Sequence, residues 1–146
     1  MQNTQSFAEI AAFVTDLYQG RRTKISPYYY PIAVAVLAAN ATANYTQKIN
    51  GNADFLLVDL FTSQNPPAGT LIQITDSASQ ESLFNSPVDI NTVARGQGTP
   101  YDVSIGAIRR LAANSNQVIT LQNTNVGGAS LTAGYLVLCG VQVFLY

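Results

Sequence analysis

The side chains with the widest chemical reach in this 146-residue chain are its eight carboxylates: Glu9, Asp16, Asp54, Asp59, Asp76, Glu81, Asp89 and Asp102. Asp76 and Glu81 flank one polar loop, and two carboxylates held close together can divide acid and base roles in glycoside cleavage. A pair of solvated loop charges is the simpler explanation of the same spacing. Asp54 and Asp59 could ligate calcium together with carbonyl oxygens, but the D-x-D-x-D-G spacing of a calcium loop is missing. Histidine is absent and cysteine occurs once, at Cys139. That removes Ser-His and Cys-His nucleophile–base pairs and zinc clusters of Cys and His. With no second cysteine for a disulfide within the chain, Cys139 reads as a small apolar strand residue. Gly96-x-Gly98 has no following Lys-Ser/Thr and opens no helix, so it is not a phosphate loop. Taken together, these residues lead to the expectation of a protein that is not an enzyme and holds no cofactor or metal.

Binding chemistry has three candidates. Tyr28, Tyr29 and Tyr30, between Pro27 and Pro31, could stack on a glycan; an aromatic connector lying on the protein's own sheet is the simpler alternative. Arg109 and Arg110 are the densest charge late in the chain. In a strand they point to opposite faces, which places one of them at a rim or an interface. Two cations are too few for a phosphate-binding face, so no nucleic-acid partner is expected. The third candidate is an amphipathic helix over residues 5–19. Phe7, Ile10, Ala11, Val14, Leu17 and Tyr18 form one stripe at a period of 3.6. Ser6 and Glu9 make a capping box, and Gly20 ends the helix. Arg21, Arg22 and Lys24 follow, near the negative end of the helix dipole. Such a stripe must be covered, either by the protein's own core or by another subunit. Phe7, Ile10, Val14, Leu17, Tyr18, Arg21, Arg22, the three tyrosines and the two late arginines are therefore the candidate protein interface.

Charged residues are only 10% of the chain and the net charge is −1, where about a quarter of residues is usual. A surface of Asn, Gln, Ser and Thr has no long-range field to attract nucleic acid or repel neighbours, and suits dense packing against protein. The first residues lack the pattern of a secretory signal. No run of eighteen uncharged apolar residues occurs, so no membrane partner is expected. The sequons at Asn40 and Asn44 carry no weight without secretion.

The elements that would position these residues are mostly strands. The last 42 residues organise the rest: residues 105–121 read as strand, turn and strand, and 135–146 alternate two mostly apolar sets, which predicts a strand covered on both faces. Residues 32–39, 45–49, 54–61, 70–75 and 83–93 add further strands. Asn50-Gly51 has the composition of a hairpin turn. Residues 65–69 form a turn, and 76–82, 95–100 and 123–134 read as loops. Pro87 argues for a sheet edge or a bulge. The expectation is an all-β sandwich of about eight strands, jelly-roll-like, spanning 26–146, preceded by the helix and basic connector of 1–25.

Four stretches, ADFLLVDLF, LIQITDSASQESLFNSPVDI, IRRLAANSNQVITLQNTN and YLVLCGVQVFLY, resemble the small β-sandwich virion proteins of tailed bacteriophages. The resemblance covers residues 54–146. It implies a non-enzymatic virion structural protein, made in the host cytoplasm and carried on the phage head. The role implied is capsid decoration, or cement, bridging capsid subunits. The implied partners are the major capsid protein or other virion proteins, together with further copies of itself as a dimer or trimer. A neck, tail or head-fibre component and a carbohydrate- or receptor-binding module are the alternatives.

Overall fold

Apolar residues at every second position give this chain strands that can be buried on one face or two. In the computed structural model, which describes residues 7–96 and 105–146, one helix, α1 (Phe7–Leu17), precedes nine strands. They are β1 (Thr23–Val34), β2 (Thr42–Lys48), β3 (Asp54–Thr62), β4 (Thr70–Asp76), β5 (Val88–Asp89), β6 (Ala94–Gly96), β7 (Arg109–Leu111), β8 (Asn116–Asn123) and β9 (Gly134–Leu145). Nine strands replace the eight expected, because β6 and β7 are separate three-residue pieces along β3. Two mostly antiparallel sheets result. One runs β1-β9-β3-β6 with β7 also on β3, and the other runs β2-β8-β4-β5. The all-β, sandwich-like class expected from the alternation is what forms.

The main core lies between the sheets. Tyr30, Ile32, Phe55, Leu57, Leu60, Leu136 and Leu138 from the first sheet meet Ile72, Ile74, Ile119 and Leu121 from the second. β9 is the interior strand predicted for the C-terminal run, paired along its length with β1 and with β3. The register of β3 against β9 shifts between Leu57 and Asp59. Gly140 is essential there, since a Cβ would lie 1.9 Å from the Leu56 carbonyl oxygen. That is the close backbone approach for which strands keep glycine.

Several expectations need correction. Residues 23–31, expected to divide between a basic connector and an extended aromatic one, form the first nine positions of β1 and pair with β9. The apolar run from 32 ends as strand at Val34. Asn50-Gly51 is not a hairpin turn: β2 and β3, which it joins, lie in different sheets. The helix spans Phe7–Leu17 among the described residues, while Ser6 of the capping box, Gly98 and Asp102 lie outside them. Gly20 does end the helix, with φ +74° and its N–H returned to the Thr15 carbonyl at 3.2 Å.

The apolar stripe is covered within the chain. Ile10, Val14 and Tyr18 pack on Leu56, Val58, Val141 and Val143, on the outer face of the first sheet. Each such side chain contributes about 1.5–3 kcal/mol before entropy. Those three residues are thus packed in cis, the first of the two coverings open to the stripe. Leu17, at the end of the helix, is 39% exposed; the side chain of Phe7 lies outside the described set.

Candidate functional site

β3 alternates so that Asp54, Leu56 and Phe61 face outward, and α1 crosses this outer face only in part. The crossing is fixed at Asp54. Its Oδ2 accepts the Tyr18 hydroxyl at 2.7 Å and Arg110 Nε at 3.0 Å. Its Oδ1 accepts the Ala113 N–H at 2.8 Å. Burial pushes the carboxyl up, but these three donors prevail and hold it below the ordinary carboxylate range. Burial, with the neighbouring Asp54 charge, pushes the Tyr18 phenol up to about 12. Asp54, weighed in the sequence as a calcium ligand, is therefore the anchor that joins α1, β7 and the turn before β8. Of the candidate residues, Tyr18 and Arg110 are brought together here.

Arg109 is the neighbour of Arg110 on β7. Together with Arg110 it lines a cleft of about 380 Å³ whose other walls include Asp76, Glu81 and Leu83. Asp76 accepts the N–H groups of Ala78 and Ser79 and the Gln117 amide, at 2.9, 3.1 and 3.1 Å. Those bonds, led by the one from Ser79, lower its pKa. These bonds tie Asp76 into its own loop and to β8.

A smaller cleft of about 180 Å³ lies beside α1, lined by Ile10, Tyr29, Val58, Asp59, Arg95 and Cys139. Asp59 is buried, and Arg95 Nε contacts its Oδ2 as an ion pair. Burial outweighs that arginine and raises the Asp59 pKa. Burial and then the Asp59 charge push the Cys139 thiol up to about 11. A thiol so protonated is a poor nucleophile. Among the described residues, no three Cys, Asp or Glu side chains gather as a metal ion would require.

The three tyrosines separate by strand parity. Tyr30 is buried, 4.9 Å from both Tyr28 and Phe55 in edge-to-face contact, and its hydroxyl accepts the Asn50 N–H at 3.0 Å. Tyr28 is half-buried beside it. Tyr29 alone is exposed, so no three-ring platform for a glycan exists. Arg22 lies over the Tyr146 ring at 5.3 Å, and Arg21 is exposed beyond the helix end.

What α1 leaves uncovered is apolar. Tyr29 is 60%, Tyr135 53% and Phe61 39% exposed. Val137 lies opposite Phe61 on one side and Pro31 on the other, and Tyr135 opposite Ala33. These residues form one contiguous face. Phe61 and Tyr135 were not among the candidates, because two mostly apolar sets in one strand do not reveal which set a helix will cover. Comparison with protein-family models, curated proteins and solved structures finds no match to this chain.

Proposed function

We propose that this chain is a non-enzymatic structural protein of a virion, most simply a decoration or cement protein of a phage head, and that its sandwich is a jelly roll. The observation that carries the reading is the bare face of Tyr29, Phe61, Tyr135, Val137 and Pro31 on an otherwise weakly charged protein. Contiguous exposed apolar surface of this kind marks protein–protein contact. Its aromatic character fits the composition of interface centres. Neighbouring virion proteins, the major capsid protein first among them, are the proposed occupants. The strand order supports the jelly roll. Consecutive strands alternate between the β1-β9-β3 and β2-β8-β4-β5 sheets except β4 and β5, which pair with each other, and β6 and β7 share one position beside β3. That leaves eight strand positions in two four-membered layers, the pattern used by viral capsid domains. A neck or tail component would use the same surfaces in fewer copies.

Phe61→Asp combined with Tyr135→Asp tests the proposal. Both side chains point away from the main core, so the thermal transition should stay within a few degrees of the parent while incorporation into particles falls at least about tenfold, the loss of one good contact. Undiminished incorporation of the folded variant would refute this face as the contact.

A further inference from the structure

An unpaired sheet edge is a template for another strand, and most edges carry a device that blocks it. The β1 edge has Pro27 and Pro31, neither of which has an N–H to offer a newcomer. β5 is two residues long and follows Pro87, and β6 and β7 are three residues each. β2 is different. It has seven residues, no proline, an unbroken register with β8 and one charge, Lys48, at its end.

The direction of its ladder follows from the flanking bonds. Asn123 N–H donates to the Ala41 carbonyl at 3.0 Å, and Ile49 N–H donates to the Ser115 carbonyl at 2.9 Å. Odd-numbered residues therefore face β8 with their main chain. The N–H and C=O groups of Thr42, Asn44 and Thr46 point outward, and no described residue pairs with them. The Lys48 carbonyl is taken by the Gln47 amide at 2.9 Å.

We propose that β2 pairs antiparallel with β2 of a second copy of this chain, about a two-fold axis at Tyr45, joining two four-stranded sheets into one of eight. The strand is self-complementary in that register. Asn44 lies opposite Thr46 of the second copy, and Thr42 opposite its Lys48, so no like charges meet. Asn44 and Thr46 on each side supply matching donors and acceptors, as an isologous contact requires. A net charge of −1 adds almost no repulsion between copies. The pairing does not depend on where the protein works, so its failure would leave the virion proposal standing.

Sedimentation equilibrium of the full chain up to about 1 mM, with amide exchange at residue resolution, tests it. The expected result is a dimer in which the Thr42, Asn44 and Thr46 amides exchange more slowly as concentration rises, and which Asn44→Pro abolishes. Charge placement provides a check that does not involve proline. Asn44→Lys with Thr46→Lys sets Lys opposite Lys twice, whereas Asn44→Lys with Thr46→Glu sets Lys opposite Glu twice. The second pair should dimerise on the order of tenfold more tightly than the first. A monomer at every concentration, or a dimer with equal affinity in both double variants, would overturn the proposal.

Discussion

Asp54 shows what one carboxylate does when placed where three elements meet. Its donors come from residues 36, 56 and 59 positions away in the chain, so nothing local in the sequence announces it. DFLLVDLF shows two acids in an apolar run, and only folding distinguishes them. Asp54 ends among donors, while Asp59 ends buried against Arg95. Their effects on stability have opposite signs. Asp54 has a folded pKa below the ordinary 3.8, so its contribution is present above 3.8 and is lost as pH falls through the folded value. Asp59 has a raised pKa, so the fold favours its neutral form and loses stability as pH rises from 3.8 through the folded value. Tyr18 gives the clearest signal. Its phenol is raised from 10.0 to about 12, so its contribution is complete below pH 10 and disappears as pH climbs to about 12. A phenolate absorbance titration should show a late step near pH 12. Tyr18→Phe should remove that late step and lower stability by about 1–3 kcal/mol, the scale of a hydrogen bond to a charged group. A titration with no late tyrosine in the parent would contradict the Asp54 anchor.

At the scale of elements, α1 was legible in the sequence because its stripe keeps a 3.6 period and Gly20 stops it. What covers the stripe was not legible, since periodicity records that a face is apolar and not which surface receives it. The receiving residues, Leu56, Val58, Val141 and Val143, belong to strands that are apolar on both faces, as a strand under a helix must be. A consequence is that the helix is part of the fold. Removing residues 1–20 should expose that row of side chains, lower the midpoint of thermal unfolding by well over about 5 °C and produce dye binding typical of exposed apolar surface. A truncated protein as stable as the parent would show that the helix packs elsewhere. The turns tell a similar story. Asn50-Gly51 and the 65–69 segment have the composition of tight turns, and the turns form at Gly51-Asn52 and Ala68-Gly69. Each crosses from one sheet to the other, and local chemistry does not distinguish a crossing from a hairpin.

For the molecule as a whole, composition and alternation were enough to indicate a sandwich, because a low-charge chain with many short apolar alternations has few other ways to bury its faces. Pairing order was not readable, since β1 meets β9 across more than a hundred residues. The bare aromatic face was also hidden, because it exists only after α1 has taken its half of the sheet. Function enters at this scale. In the smaller cleft Asp59 is paired with Arg95, and in the larger one Asp76 is taken up by its own loop and Gln117, whereas the exposed aromatic face has no occupant among the described residues. The decoration role proposed above requires many copies. The most direct measurement is quantitative mass spectrometry of purified particles, counting this chain against the major capsid protein. Decoration of a closed symmetric shell should give on the order of hundreds of copies per particle, and a neck ring about a dozen. Particles that carry none, from cells that make the protein abundantly, would contradict the structural role.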